Sequence, residues 1–436
     1  MTTIQTESVT VPRSWRVRAF GQAVVSHGRE YATTFLTEFA VMASQIVAYK
    51  LAAHYLGKEG FSEYALARRT VTLLVPIPVF GLAVALPRYI GFCNGRGDQS
   101  GTARYYGATL VCVSAAALLV FLLINLFAGL FAFLFFGSRN YAYLALPLSV
   151  MILGLCLHTV VCGYFRGQLA MNCANVLQFI NLAVVPIVAF IAFRNSLSRV
   201  LSSIGLVSMF VAGTGLILTP ATSAFGNNWK EAKELLGYGI QRVPGDFILM
   251  ALFTLPATFV AHLKGVPEAG FVAFGISIVS MVGAIFAPVG LVLLPKATFM
   301  LADGAHVELR RHVGLILRVT AIASALIVSA LWVSIPALTR VFLGAGFEPV
   351  VPTVRVLIFA ALPYSLYLVV RNLVDAYHEY GVTALILILA LCVFLTSAYL
   401  GRHSVMGVDV ILAAFLLAMV AAATLSGLEC RRVLRA

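Results

Sequence analysis

The chain has 436 residues, 61% of them hydrophobic and 11% charged, with a mean hydropathy of +0.97 and a formal net charge of +13. That hydropathy excludes a soluble globular domain and reads as an all-α polytopic membrane protein. At roughly 20 apolar residues per crossing, the length accommodates about twelve transmembrane helices and leaves no remainder for a globular domain.

Residues 1–30 carry Arg13, Arg16, Arg18 and Arg29 but no short apolar stretch ending in a cleavage site, so a cytoplasmic N-terminal segment that is kept is expected. Apolar runs broken by Gly, Pro and charge then predict spans near 31–55, 61–91, 104–136, 141–164, 171–193 and 199–219. These six form the first lobe, 31–219. Residues 220–234, with Asn227-Asn228-Trp229-Lys230, predict a cytoplasmic linker with an interfacial helical stretch. A second six-helix lobe, 235–428, follows with spans near 235–262, 269–299, 312–335, 350–377, 381–400 and 405–428, and a basic tail, 429–436, closes the chain. Roughly 18 Lys and Arg fall on the side of the N-terminus against about seven on the other, which predicts cytoplasmic termini. Basic loops at an anionic inner leaflet account for the net charge without a nucleic-acid partner. The seven cysteines contain no CxxC pair and read as small core residues, with no metal site. Tyr105-Tyr106, at the start of span three, read as an interfacial belt pair.

The chain repeats itself. Leu56-Gly57-Lys58-Glu59-Gly60-Phe61-x-x-Tyr64 returns about 210 residues later as Gly265-Val266-Pro267-Glu268-Ala269-Gly270-Phe271-x-x-Phe274. Leu86-Pro87-Arg88 returns as Leu294-Pro295-Lys296, and Phe135-Phe136-Gly137 as Phe342-Leu343-Gly344. Three landmarks in register predict two six-helix bundles of the same orientation, with a binding site between them. Pro76, Pro78, Gly81 and Pro87 predict a bent span two, and Gly283, Pro288, Gly290 and Pro295 sit at matching places in span eight. Both helices are therefore candidates for flexing elements or for static bends.

The start of span two, Leu56 to Ala67, is similar to the LGxEGYGxYxLA pattern of the polysaccharide flippase family, the Wzx-type branch of the multidrug, oligosaccharidyl-lipid and polysaccharide (MOP) exporter superfamily. Phe342-Leu343-Gly344-x-x-Phe347-x-x-x-x-Pro352-x-x-Arg355-Val356-Leu357 resembles its FGxxYxxAxxxLRIL segment, and the resemblance covers essentially the whole chain. It implies a V-shaped, MATE-like pair of six-helix lobes. It also implies alternating access, export of an undecaprenyl-pyrophosphate-linked oligosaccharide across a bacterial inner membrane, and contact with lipid and other polysaccharide assembly proteins. Arg68-Arg69 depart from the family pattern, so their role rests on physics alone.

A charge at the bilayer centre costs roughly 2.5–3.5 kcal/mol, so deep charges face a cavity, a partner or an interface. Arg68 and Arg69 lie roughly 10 Å down span two. Their guanidinium forks suit pyrophosphate; the competing reading is an ion pair with Glu38 or Glu63. Lys50 and Arg242 complete the candidate substrate-binding set. Glu38, in an apolar span one, and Asp246 are candidates for ion coupling, with H+ or Na+ left open. Arg242-Val243-Pro244-Gly245-Asp246 reads as a broken helix at a binding site, or as a local Arg242 to Asp246 pair. Arg371 and Asp375 have i, i+4 spacing and are candidates for a cytoplasmic gate. No GxxxxGKS loop, no HExxH and no His/Cys cluster occurs, so neither an enzyme nor a cofactor is expected. Intramembrane basic residues outnumber acidic ones, which favours an anionic cargo over the cationic drugs of a multidrug exporter. A lipid II flippase and a glycan-assembly scaffold are the further alternatives.

Overall fold

The computed structural model describes residues 28–217, 219, 228–240, 243–302, 306–378, 381–401 and 407–434. Among them there is no strand; the backbone is satisfied within helices, as a bilayer requires. Among the described residues ten helices are long and apolar enough to cross a membrane, and an eleventh candidate is a bent pair beginning within the helix Gly28–Leu74. That helix has 47 residues, about 70 Å at 1.5 Å per residue, more than twice the apolar core of a bilayer. It is divided at Gly57, whose φ of 68° and ψ of −164° interrupt the helical path, so the pair supplies spans one and two. The expected twelve spans follow.

The repeat is visible in the backbone. Gly57 and Gly265, in the turns before spans two and eight, have φ of 68° and 90°. Gly137 and Gly344, after spans three and nine, have φ of 74° and 100°. A left-handed turn favours glycine, which explains why these positions stand out in both copies of the sequence motif. A Cβ on Gly137 would lie 2.5 Å from the Ala261 carbonyl at the end of span seven. A Cβ on Gly346 would lie 3.3 Å from Cε of Lys58, just after span one. Each half thus sends its third span's exit turn against the first span's exit of the other.

Span two is broken as its prolines predict. The helix through Val79 and the one from Leu82 meet at 44°, with Phe80 at φ 48° and Gly81 at φ 71° in the corner. Span eight is different: Val266–Ala302 is one continuous helix. Its glycines serve packing, because a Cβ on Gly283 would lie 2.3 Å from the Tyr364 ring and one on Gly290 2.2 Å from Asn372 Nδ2. The expectation that span eight is broken at the places matching span two is corrected accordingly.

Three further expectations change. The helix after the linker covers Trp229–Ile240 and ends before span seven, Val243–Lys264, so that span starts at 243 and not 235. Pro244 and Gly245 lie in the first turn of the described helix Val243–Lys264, which runs on after them without a break. Tyr106 is fully buried against Tyr164, with ring centroids 4.6 Å apart, so it is a core residue and not half of a belt pair. Of the cysteines, Cys93, Cys156, Cys162 and Cys430 are buried as expected, whereas Cys173 and Cys392 are exposed.

Candidate functional site

The two halves meet at the face opposite the N-terminus, and the repeated Gly-aromatic motif builds the contact. Gly270 at the start of span eight lies so close to span two that a Cβ there would fall 2.2 Å from the Ser62 Cα. The Ser62 hydroxyl donates to the Pro267 carbonyl at 3.0 Å. Phe61 of one motif packs edge-on against Phe274 of the other at 5.4 Å and against Phe347 at 5.2 Å. Tyr49 of span one packs on Phe274 at 5.0 Å and on Tyr64 at 5.5 Å. Edge-to-face pairs of this kind are worth about 0.5–1.5 kcal/mol each beyond burial. A seam of aromatic rings therefore joins spans one and two to span eight.

Arg69 is sewn into that seam. It is 7% exposed. Its Nη2 donates to Ser277 Oγ at 2.7 Å and to Ser280 Oγ at 3.4 Å, and its Nε to the Ala273 carbonyl at 3.4 Å. Ser277 Oγ also lies 2.7 Å from the Tyr49 hydroxyl, while Thr254 of span seven donates to the Arg69 carbonyl at 3.2 Å. Arg68, partly exposed, turns the other way, as neighbours 100° apart on a helix must. Its guanidinium lies 5.8 Å over the Tyr49 ring and 5.9 Å over the Tyr64 ring, with Nη1 3.4 Å from the Tyr64 hydroxyl. Aromatic faces attract a cation without neutralising it.

The carboxylates expected to pair with these arginines are engaged elsewhere. Glu38 accepts from Gln178 Nε2 at 2.8 Å, and Gln178 Oε1 in turn accepts from Arg166 Nη2 at 2.8 Å. Glu63 accepts from the Tyr143 hydroxyl at 2.8 Å. The Glu38 or Glu63 ion pair is thus replaced by neutral donors from spans four and five, and neither Arg68 nor Arg69 forms an ion pair among the described residues.

Asp246 and the pair Arg371 and Asp375 come together in the second half. Arg371 Nη2 bonds Asp246 Oδ1 at 2.9 Å and its Nε lies 3.5 Å from Asp375 Oδ2. The Thr383 hydroxyl donates to Asp375. One guanidinium between two carboxylates ties spans seven, ten and eleven, so Arg371 and Asp375 are more than a surface pair. Arg242 lies outside the described residues, and the partner of Asp246 is Arg371 in place of the expected local arginine. Lys50 is exposed, with its ammonium 5.4 Å over the Phe342 ring at the end of span nine. Arg355 stacks 4.6 Å from the Trp332 ring and donates to its carbonyl at 3.3 Å.

Sequence reasoning singled out Arg68 and Arg69 as deep charges but missed their surroundings Tyr49, Ser277, Ser280 and Thr254. Serine, threonine and tyrosine are tolerated almost anywhere in a spanning helix, so the only available signal was the i, i+3 spacing of Ser277 and Ser280 on a continuous span. It also missed the buried pair His158 and Asn181, 2.9 Å apart beside the π turn Ile180–Val184 of span five. Among the described residues, no group of three or more metal-ligating side chains occurs.

Comparison with known proteins follows the same lines. Over 120 residues the chain is 27% identical to stage V sporulation protein B of Bacillus subtilis (strain 168), a stretch that is 28% of this chain and 23% of that protein. The fold matches a multidrug resistance MATE family transporter of the MOP superfamily in its inward-facing conformation. There the TM-score is 0.78 at 14% identity, covering 91% of this chain and 94% of the other. The match to a solved outward-facing conformation of a MATE family transporter has a TM-score of 0.64 at 13% identity, covering 93% and 95%. The family model described as polysaccharide biosynthesis protein matches residues 28–299, more than half of the sequence, so this multi-pass membrane protein belongs to that family, on the fold of the MOP-superfamily transporters.

Proposed function

We propose that the protein flips an undecaprenyl-pyrophosphate-linked oligosaccharide from the cytoplasmic to the periplasmic leaflet of a bacterial inner membrane, by alternating access of its two halves. The observation that carries this reading is the imbalance of charge at the seam. Arg68 and Arg69 have no carboxylate partner among the described residues, while the intramembrane carboxylates of Glu38, Glu63, Asp246 and Asp375 each have a donor. An unneutralised pair of guanidinium groups suits a pyrophosphate and repels the cationic drugs that the alternative exporter would carry.

In this reading Arg68, held against two ring faces with its edge partly open, is the primary phosphate ligand. Arg69 closes the periplasmic seam on Ser277, and Lys50 and Arg242 extend the basic surface. The polyprenyl tail stays in lipid. The coupling groups are Glu38, whose carboxylate sits in a hydrogen-bonded chain with Gln178 and Arg166, and Asp246, which Arg371 binds. Arg371 and Asp375 act as a cytoplasmic gate. The excess of basic loops on the N-terminal side supports cytoplasmic termini, and a role in glycan export brings assembly proteins as partners.

The test is made in the native host. The gene is deleted and complemented with wild type, Arg68→Ala, Arg69→Ala or Arg242→Ala, and surface glycan is assayed together with lipid-linked repeat units on the cytoplasmic leaflet. Loss of surface glycan with inner-leaflet accumulation, restored by wild type and not by the arginine variants, is the expected result. Unchanged glycan with altered sensitivity to cationic drugs would move the protein to the exporter class.

A further inference from the structure

The linker helix Trp229–Ile240 leads into the second half but docks on the first. Three polar ties hold it there. Glu231 accepts from Arg104 Nε at 2.8 Å, and Glu234 accepts from the Tyr105 hydroxyl. The Tyr238 hydroxyl accepts from Arg88 Nη1 at 2.8 Å, and the same guanidinium lies 4.5 Å over its ring. Only Ala232, Leu235 and Gly239 of the helix are buried. Next to the ties lies a cavity of about 340 Å³ whose lining includes Tyr89, Cys93, Arg96 and Glu234. This contact is made by a few polar pairs around an open cleft, unlike the aromatic seam at the opposite face.

The far end of the helix rests on the corner of span two. A Cβ on Gly81 would lie 2.5 Å from the Gly239 carbonyl oxygen, and one on Gly239 2.4 Å from that of Phe80. Two glycines thus let the two backbones touch. Phe80 itself holds a φ of 48°, a left-handed conformation that a bulky side chain avoids and that persists only where its surroundings impose it. The Gly239 contact is one of those surroundings.

We propose that the linker helix is a releasable latch: docked, it holds span two bent at Phe80 and Gly81 in the conformation seen here, and undocking lets span two straighten as the halves change their relative tilt. Chain connectivity couples the latch to span seven. Residues 241 and 242 are all that separate the helix from span seven, a reach of about 10 Å at full extension. A change in the relative tilt of the halves shifts the start of span seven against the first half and so loads the Glu231, Glu234 and Tyr238 ties. These are the contacts that can part without exposing a large apolar surface. The Arg104 tie is also shared, since its Nη2 lies 3.7 Å from Asp98, so the guanidinium keeps a partner when Glu231 leaves.

The experiment uses the full chain in lipid nanodiscs, with all seven cysteines replaced and the pair Tyr105→Cys and Glu234→Cys introduced. A short, cleavable bifunctional thiol reagent joins the pair. Hydrogen exchange is then followed by mass spectrometry in peptides covering 58–70 and 266–280, which form the seam at the opposite face. Joining the latch is expected to slow seam exchange at least tenfold, and cleaving the tether in the same sample to restore it. Glu231→Gln with Tyr238→Phe, in a chain that keeps the other residues, is expected to speed the same exchange severalfold. Equal seam exchange in tethered and cleaved protein overturns the proposal, as does a folded chain whose cysteine pair cannot be bridged. The readout needs no cargo, so it stands or falls separately from the transported substrate.

Discussion

Ser277→Ala tests the seam at its hub. The hydroxyl accepts from Arg69 Nη2 at 2.7 Å and, its own proton being given to the Ala273 carbonyl, from the Tyr49 hydroxyl at 2.7 Å, both from the other half of the molecule. A hydrogen bond to a charged group is worth about 1.5–3 kcal/mol and a neutral one about 0.5–1.5 kcal/mol, so alanine removes about 3 kcal/mol from the closed seam. The remaining Arg69 contacts at 3.4 Å are too long to compensate. Both ties exist only while the halves are apposed, so the loss falls on this conformation and shifts the equilibrium toward the open seam by about 100-fold. Spin labels at exposed positions in the two halves, read by pulsed electron resonance in nanodiscs, would show a second, longer distance gaining population. Arg69→Lys, which keeps the charge and loses the fork, should shift the balance in the same direction. If Ser277→Ala leaves the distance distribution of wild type unchanged, the seam is not held by this hydroxyl and the account of Arg69 as its closing residue fails.

Three other substitutions follow from the packing and electrostatics. Gly290→Ala places a methyl 2.2 Å from Asn372 Nδ2 and 2.8 Å from the Leu368 carbonyl, and should cost about 1–3 kcal/mol, read as a lowered Tm in detergent. Arg371→Gln strands Asp246 and Asp375 together. It should lower Tm by several degrees, with partial recovery on adding Asp246→Asn, and a variant as stable as wild type would contradict the three-span tie. Asp98 caps span three: the Gly101 N–H donates at 2.8 Å and the Ser100 hydroxyl at 2.7 Å, which with Arg104 hold its carboxyl below the usual value. A depressed carboxylate contributes its stability in full above the unfolded pKa, near 3.9, and loses it as pH falls through the lower folded value. Amide exchange at residues 99–102 should therefore be protected at pH 6, accelerate toward pH 3, and lose this pH dependence in Asp98→Asn.

Much of the fold was legible because its cause repeats in the sequence. The Gly-aromatic start and the Phe-x-Gly exit occur twice, and left-handed turns at Gly57, Gly137, Gly265 and Gly344 require glycine in both copies. The break in span two was legible from Pro76, Pro78 and Gly81. Span eight misled because its glycines admit close neighbours, Tyr364 and Asn372, which lie more than 70 residues away in sequence, while the helix runs on unbroken. Span seven misled because Leu235, Leu236 and Ile240 extend its apolar run backward into the linker helix. At the site, sequence picked out the charged residues because charge is rare in a span. It could not place their partners, since those are hydroxyls and carbonyls brought in by tertiary contact: Arg69 reaches Ser277 across 208 positions and Arg371 reaches Asp246 across 125.

The divergence of the two repeats divides the labour between them. Span two carries the left-handed corner, the latch contact and both arginines; span eight, its counterpart, is unbroken, packed tightly against span ten at Gly283 and Gly290, and carries the serines that receive Arg69. A helix with a built-in break can change direction by rotating a few backbone torsions, whereas a 37-residue unbroken helix moves only with its whole bundle. The charges are thus mounted on the part that can bend, and their neutral acceptors on the part that cannot. When the seam parts, the guanidinium of Arg69 leaves its serines without stranding a carboxylate, because none was there. Ser277 and Ser280 keep their own bonds to the Ala273 and Ile276 carbonyls one turn back. Opening is therefore costly mainly on the arginine's side, and under the proposed function the pyrophosphate of the cargo would offset that cost directly. A salt bridge at the same place would have had to strand two charges at each turn of the cycle.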